Sequence, residues 1–167
     1  MRDNPIPKRK RNRLEDFDYS SYGAYFVTVC VKDKQKLLWR SVGADIIRPH
    51  EKDFSYCLSE RGRVVEEAIK NIPACYPLVE VNKYCIMPDH IHMIVFMKHE
   101  NGRIISAPTL SRIIGQMKRW ASKKAGVSLW QKSFYDTVIR DEQMYQEKWK
   151  YIDENPLKYV LLNNGEI

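Results

Sequence analysis

Apolar and polar residues follow one another along the chain in patterns that predict four strands. Residues 22–33 are rich in β-branched and aromatic side chains, which is typical of a strand. Residues 78–97 predict two strands joined by a tight Pro-Asp turn, because proline sets the first turn position and aspartate tolerates the next. Residues 130–139 also have strand character, and residues 34–58 predict a hairpin or an irregular strand.

Three other stretches have the spacing of helices. The first is predicted to begin after a cap at Ser59 and to end at Pro73. The second covers residues 109–125 and carries its apolar side chains on one face. The third covers residues 141–155, which are rich in Glu, Gln and Lys, and Pro156 is expected to end it.

The order of these elements predicts an α+β fold. Strand, helix, strand, strand, helix and strand match a ferredoxin-like (RRM-like) antiparallel sheet with its helices on one face. The last helix is additional, and we expect it to lie across the open face of the sheet or beside it. Residues 20–167 are predicted to form this single domain, and residues 1–19 a basic N-terminal tail.

Composition narrows the classes of partner and of cellular location. The chain has 167 residues and a net charge of +7, which favours a polyanionic partner such as nucleic acid. Its apolar runs are far shorter than the roughly 20 residues that cross a bilayer, and no secretory signal is recognisable. We therefore expect a cytoplasmic protein. Four scattered cysteines without a C-x-x-C pair argue against a zinc ribbon or finger.

Two short motifs carry candidate chemistry. His90 and His92 lie two positions apart on a predicted strand, so their imidazoles face the same way and suit a divalent metal. Tyr151 and Asn155 share one face of the last helix; an amide oxygen binds hard cations, and a phenol can act as a nucleophile. Taken alone, the same residues are also compatible with two ordinary strand histidines and a tyrosine that only packs.

The combination of motifs resembles one family. Three features occur in order: MPDHIHMIV with its histidine-hydrophobic-histidine (HUH) signature, the strand that starts at Trp130-Gln131, and YIDENP at 151–156. Together they resemble the IS200-like single-tyrosine transposases, and above all the REP-associated tyrosine transposases of bacteria. The resemblance covers roughly residues 20–160, which is nearly the whole chain.

This resemblance implies a specific DNA chemistry. Such enzymes have a ferredoxin-like fold and act on single-stranded DNA with hairpin or palindromic elements, so a nucleoid-associated endonuclease and strand transferase is expected. By this likeness His90, His92 and Asn155 hold Mg²⁺ or Mn²⁺, and Tyr151 attacks the scissile phosphate. The products are a 5′-phosphotyrosine and a free 3′-OH. We expect Mn²⁺ to support activity at least as well as Mg²⁺, because it accepts imidazole more readily.

One departure from the family pattern leaves the ligand set open. Insertion-sequence relatives often carry Gln as the helix ligand, whereas this chain has Asn155 followed by proline. Glu154 is an alternative ligand. Tyr145 and Tyr159 are alternative nucleophiles, although neither is followed by an Asn-Pro pair at the same spacing.

DNA contacts are predicted on the basic helix at 109–125 and in the tail. Cationic side chains there can neutralise phosphates, and an amide can read a base edge. Trp130 and Tyr135 are candidates for stacking on unpaired bases. The residues predicted to contact DNA are Lys8, Arg9, Lys10, Arg11, Arg13, Arg112, Gln116, Lys118, Arg119, Lys123 and Lys124.

Alternative functions remain open at this point. A replication initiator or relaxase uses the same histidine pair and a tyrosine. A non-catalytic nucleic-acid-binding module of RRM-like fold would instead need aromatic residues on the central strands. An inactive derivative of a transposase would retain the motifs. The protein is expected to act as a monomer, or as a homodimer with tyrosine and histidines on opposite subunits.

Overall fold

The computed structural model describes residues 23–40, 57–98 and 109–162. The predicted basic tail, with Lys8, Arg9, Lys10, Arg11 and Arg13, lies outside these residues, and so does most of the predicted hairpin at 34–58. None of the helices in the described ranges is long and apolar enough to cross a membrane.

One four-stranded antiparallel sheet forms the centre of the fold. Its strands are β1 (Gly23–Cys30), β2 (Val79–Ile86), β3 (His90–Met97) and β4 (Tyr135–Ile139). They lie in the order β2-β3-β1-β4, and every neighbouring pair is antiparallel. This order and the positions of the helices confirm the predicted ferredoxin-like α+β fold.

Two long helices cover one face of the sheet. They are α1 (Glu60–Lys70), which a short helix α2 (Ile72–Cys75) follows, and α3 (Leu110–Ala125). Their apolar stripes pack against alternate residues of β1 and β3, because a strand turns every second side chain to the same face. Each of these fully buried aliphatic side chains contributes roughly 1.5–3 kcal/mol. Ser59 and Thr109 cap the two helices as N-cap acceptors, and Gly126 ends α3 in the left-handed conformation.

The last helix, α4 (Glu142–Leu162), lies across the other face of the sheet and contacts β2, β3 and β4. A second apolar cluster forms there, in which Ile152 and Val160 of α4 pack with Phe26 and Ile94 of the central strands. Of the two predicted placements, the one across the open face is therefore observed. Helices therefore cover both faces of the sheet. As predicted, the helices of the ferredoxin-like part, α1 to α3, lie on one face, and the additional helix α4 lies on the other.

Three predicted boundaries were wrong. Pro156 does not end the last helix, which continues to Leu162. A proline inside a helix costs about 3 kcal/mol or more, but Ile152, Pro156 and Val160 are all buried at a spacing of four, so continued packing offsets the cost. The first helix ends at Lys70, and Pro73 lies in the first turn of α2, where proline is tolerated.

The third boundary concerns the last strand. Trp130 forms an isolated bridge with Val31, and the regular strand begins only at Tyr135. The backbone between them is held from outside the sheet, because the Lys118 ammonium donates hydrogen bonds to the carbonyl oxygens of Gln131, Lys132 and Ser133 at 2.6, 3.4 and 3.2 Å.

A glycine in α1 allows the helix to approach the chain that follows β1. A Cβ atom at Gly62 would clash with the backbone carbonyl oxygen of Leu38. We expect Gly62→Ala to lower the free energy of unfolding by about 1–3 kcal/mol, because the clashing atom belongs to the backbone. Urea unfolding followed by circular dichroism measures this change.

Gly115→Ala in α3 is the matched control, since the nearest atom to its added Cβ is the end of the flexible Arg119 side chain at 3.4 Å. Its free energy of unfolding should rise by about 0.5–1 kcal/mol, because alanine has a better helix propensity than glycine. Equal effects of the two substitutions would contradict the close approach at Gly62.

Candidate active site

The turn before β3 and the register of the sheet place the histidine pair. The backbone N–H of Met87 donates to the carbonyl of His90 at 2.8 Å and closes the turn. His92 lies opposite Thr28 of β1 in the antiparallel ladder. Ile91 and Met93 point into the core under α1 and α3, so His90 and His92 face α4 together, as predicted.

The two imidazoles converge through their outer nitrogens. His90 Nε2 and His92 Nε2 are 3.0 Å apart, and the ring centroids are 4.6 Å apart. Each inner nitrogen is anchored: His90 Nδ1 lies 2.5 Å from Asp89 Oδ1, and His92 Nδ1 lies 2.8 Å from Thr28 Oγ1. Such partners fix the orientation of an imidazole ring and its tautomer.

With both rings neutral, a single arrangement of protons satisfies this network. The Asp89 carboxylate only accepts, so His90 Nδ1 donates to it, which leaves His90 Nε2 as an acceptor. His92 Nε2 then donates to His90, and His92 Nδ1 accepts from the Thr28 hydroxyl. Both outer nitrogens are thus directed at one point, where a cation would replace the shared proton.

Burial and neighbouring charges keep His92 neutral, close to the anionic Asp89. His92 is only 5% exposed, and burial, followed by the charges of His90, Lys34 and Lys148, lowers its pKa to about 3. Burial alone would raise the pKa of Asp89. The hydrogen bond from His90 and the nearby charges, including the Lys34 ammonium 3.8 Å away, outweigh that effect and hold this pKa below its usual value.

Helix α4 brings Tyr151 to the histidines of its own chain. The Tyr151 ring lies edge-on to His92, with centroids 5.2 Å apart, and edge-on to Phe26 at 5.9 Å. Phe26 in turn stacks on His92 at 5.2 Å. The side chain is 44% exposed, so its phenol is open to an incoming ligand while its ring is held in place.

Asn155 lies one turn further along the same face of α4. The Nδ2 end of its amide is buried and has no hydrogen-bond partner in the part of the chain that the structure describes. Such an orphaned buried group is costly, and a ligand would relieve the cost. A half-turn of the amide exchanges its nitrogen for the oxygen that a cation requires.

Glu154, the alternative ligand, is engaged elsewhere. Its carboxylate lies 2.7 Å from the Lys158 ammonium and 3.7 Å from that of Lys150. The hydrogen bond from Lys158 is the main reason that the pKa of Glu154 lies below its usual value. Within the described ranges no three His, Cys, Asp or Glu side chains cluster around a common point. The two converging imidazole nitrogens are donors of the type that suits a divalent ion.

The alternative nucleophiles pack elsewhere on α4. Tyr145 lies edge-on to Phe96 at 5.8 Å and against Trp149 at 5.7 Å. Tyr159 lies edge-on to Trp39 at 5.5 Å. Both belong to the rim of the apolar cluster under the helix, whereas Tyr151 borders the histidines.

The predicted DNA-contacting helix lies on the far side of the sheet from the histidine pair. Arg112, Gln116, Arg119, Lys123 and Lys124 are exposed on α3. Some of its polar groups already have partners. Gln116 accepts from the Tyr76 hydroxyl at 2.5 Å, Lys124 pairs with Glu67 at 2.5 Å, and Lys118 holds the loop at 131–133. Burial lowers the pKa of Lys118.

The two candidate stacking aromatics differ in exposure. Trp130 is 7% exposed and belongs to the core, whereas Tyr135 is 50% exposed. Tyr135 pairs with Thr28 across the sheet, which places its side chain on the face of the histidines.

Sequence reasoning missed several side chains of this site. Asp89 is adjacent to His90, so its support of the imidazole was detectable as an Asp-His pair. Thr28, Phe26 and Lys148 reach the site only through the strand register and the docking of α4, for which the sequence offers no local signal.

The low pKa of His92 has a consequence for stability. Below the ordinary histidine pKa of about 6.5, the unfolded chain binds a proton that the folded chain accepts only near pH 3. We therefore expect the free energy of unfolding, measured in urea with a metal chelator present, to fall as the pH decreases from about 6.5 to about 3.

His92→Gln should show a shallower decrease over the same pH interval. Nuclear magnetic resonance of the ring protons measures the titration of His92 directly. A His92 pKa near 6.5, or an unchanged slope in the variant, would contradict the buried neutral state.

Comparison with known proteins supplies an independent view. No family model matches the chain. A Haemophilus influenzae protein of unassigned function is 27% identical over 172 residues, which cover 91% of this chain and 90% of that protein. A second protein of the same organism, provisionally named a REP-associated tyrosine transposase, is 26% identical over 151 residues, which cover 85% of this chain and 74% of that protein.

A solved structure shares the fold. The structure of a REP-associated tyrosine transposase bound to a REP hairpin superposes with a TM-score of 0.57 at 22% identity, covering 83% of this chain and 71% of that one. A Deinococcus radiodurans structure provisionally named a transposase has a TM-score of 0.46 at 12% identity, covering 88% and 96%. In sequence and in fold, the chain is similar to REP-associated tyrosine transposases, which confirms the resemblance that its motifs indicated.

Proposed function

We propose that this chain is a REP-associated tyrosine transposase, an enzyme that cleaves and rejoins single-stranded DNA near hairpins with Tyr151 as its nucleophile. The observation that carries the proposal is the position of the exposed Tyr151 ring beside His92, whose Nε2 converges with His90 Nε2 in the same chain. A relative provisionally named as such a transposase and a fold neighbour bound to a REP hairpin support it.

The proposed step is a transesterification at phosphorus. The phenol oxygen of Tyr151 loses its proton and forms a bond to phosphorus while the bond from phosphorus to the 3′ oxygen breaks. That oxygen keeps the electron pair and takes up a proton, which gives a 3′-OH and a 5′-phosphotyrosine. Because one phosphoester replaces another, the reverse reaction rejoins DNA without an external energy source.

A divalent cation completes the proposed site. His90, His92 and Asn155 would hold Mg²⁺ or Mn²⁺, which supplies stabilisation of the charge that develops on a phosphoryl oxygen. The residues of this chain prepare the place for it. Asp89 and Thr28 hold the inner nitrogens of the two imidazoles, and burial keeps His92 in the neutral form that a metal ligand requires.

Two regions of the surface are proposed to bind DNA. Tyr135, which is exposed on the face of the histidines, would stack on an unpaired base of the DNA. The exposed cations Arg112, Arg119 and Lys123 lie on α3, on the far side of the sheet. DNA bound there would be a different segment from the one at Tyr151, as expected for a substrate that includes a hairpin.

The geometry disfavours a non-catalytic module of the RRM type. Such a module binds RNA on an open sheet face through aromatic residues of its central strands. Here α4 covers that face, and β3 presents His90 and His92 at its end.

Covalent capture tests the proposed nucleophile. The full chain with Mn²⁺ is mixed with labelled single-stranded oligonucleotides that cover both strands of the flanks of its own gene. We expect a labelled adduct that survives a denaturing gel. Tyr151→Phe should remove it, because the substitution deletes the attacking oxygen and leaves the ring packing in place.

Tyr145→Phe is the matched control and should retain the adduct. An adduct that persists in Tyr151→Phe and disappears in Tyr145→Phe would show that Tyr145 is the nucleophile instead. Tight binding of the same DNA by the wild type, independent of metal and without any adduct, would favour the non-catalytic module instead.

Metal binding tests the proposed ligands. We expect His90→Ala to abolish Mn²⁺ binding in calorimetry. Asp89→Asn and Thr28→Val should each weaken Mn²⁺ binding about 10–100-fold, because the first removes the negative charge that supports His90 and the second removes the hydroxyl that holds His92 Nδ1. Glu67→Gln, which removes a carboxylate on the other side of the sheet, should bind Mn²⁺ as the wild type does. Unchanged affinity in His90→Ala would contradict the site.

A further inference from the structure

We propose that Lys148 is a further catalytic residue, whose ammonium binds the scissile phosphate beside Tyr151. This inference rests on the proposed function and deepens it, because it assigns a binding group for the substrate anion at the same site. Neither the sequence motifs nor the predicted ligand set include this lysine.

Position on α4 is the first argument. Lys148, Tyr151 and Asn155 are spaced by three and four residues, so they lie along one face of the helix. That face contains the proposed nucleophile in its middle and a proposed metal ligand one turn after it. Lys148 extends the same row by one turn in the other direction.

A shared aromatic ring shows how near these groups are. The Lys148 ammonium lies 5.0 Å from the centroid of the Phe26 ring. The same ring contacts Tyr151 edge-on and stacks on His92, with centroid distances of 5.9 and 5.2 Å. An ammonium, a phenol and a neutral imidazole therefore surround one buried phenylalanine, which fixes their relative positions.

The charge of Lys148 is available for an anion. Three other lysines on or against α4 have carboxylate partners: Lys83 pairs with Asp153, and Lys150 and Lys158 pair with Glu154. In the described ranges, the contact of the Lys148 ammonium is the face of Phe26. A cation–π contact at a partly exposed site is weak. A charge-assisted hydrogen bond to a phosphate is stronger, so DNA would displace the ring contact.

This cation suits the chemistry of the step. As the phenol oxygen of Tyr151 bonds to phosphorus, negative charge increases on the phosphoryl oxygens, and a fixed ammonium beside them lowers that barrier. Lys148 gains and loses no proton in this role. The bonds formed and broken remain those between phosphorus and the tyrosine and 3′ oxygens.

The rate of adduct formation tests the proposal. It is measured at saturating DNA and Mn²⁺ with the oligonucleotide that the wild type captures. Lys148→Gln should slow the rate about 100-fold, the usual effect of removing one donor from an anion hole. Lys148→Arg, which keeps the charge, should recover most of the loss. Lys150→Gln is the matched control, exposed on the same helix, and should react like the wild type.

A neutral substrate separates a catalytic role from a structural one. The same oligonucleotide is made with a methylphosphonate at the scissile position, which removes one negative oxygen. With this substrate the difference between wild type and Lys148→Gln should shrink to a few-fold, because the charge that Lys148 binds has been reduced.

Each outcome decides a separate claim. An undiminished difference on the methylphosphonate, or a Lys148→Gln rate equal to that of the wild type, would overturn the role of Lys148 and leave the proposed function intact. Lack of any adduct with the wild type on every oligonucleotide would overturn both. Thermal unfolding of the variants, followed by circular dichroism, checks that a slow rate does not reflect unfolding.

Discussion

The candidate site depends on the side-chain alternation of one strand. In β3, Ile91, Met93 and Val95 pack under α1 and α3, and this fixes the strand so that His90 and His92 face the opposite side. A slip of one residue would put both imidazoles into the apolar core. Because β3 lies between β2 and β1, ladders on both sides hold its register. The direction of the two Nε2 atoms is therefore set by core packing on the other face of the sheet.

Apolar packing under α1 and α3 stabilises the fold, whereas the burial of polar groups on the face covered by α4 destabilises it. His92 lies under α4, and the amide nitrogen of Asn155 is buried on α4 itself, in surroundings that favour neither charge nor an unpaired hydrogen-bond donor. Apolar residues at these positions would stabilise the fold. The polar residues His92 and Asn155, together with Asp89 and Thr28 that hold the imidazoles, are expected at a site where ligand binding is favoured at the expense of stability.

The sequence predicted much of this arrangement, and the reasons are local. Alternation within β3 and helical spacing within α4 were enough to pair His90 with His92 and Tyr151 with Asn155. The support by Thr28 and the approach of Lys148 depend on strand register and helix docking, which bring together residues more than 60 positions apart. The end of α4 was mispredicted for a similar reason. A local rule ends a helix near proline, whereas burial of Pro156 between Ile152 and Val160 continues it.

This continuation bears on whether the site is complete within one chain. Lys83 of β2 ties the middle of α4, around Tyr151, to the sheet, because it pairs with Asp153 and its ammonium lies 4.6 Å from the centre of the Trp149 ring. The C-terminal half of α4 packs through Val160. Had the helix ended at Pro156, the second anchor would be lost. To carry Tyr151 to another subunit, α4 would have to expose Ile152 and Val160, each at a cost of roughly 1.5–3 kcal/mol, together with the apolar sheet face beneath them. The extended helix thus favours a site in which Tyr151 lies beside the histidines of its own chain.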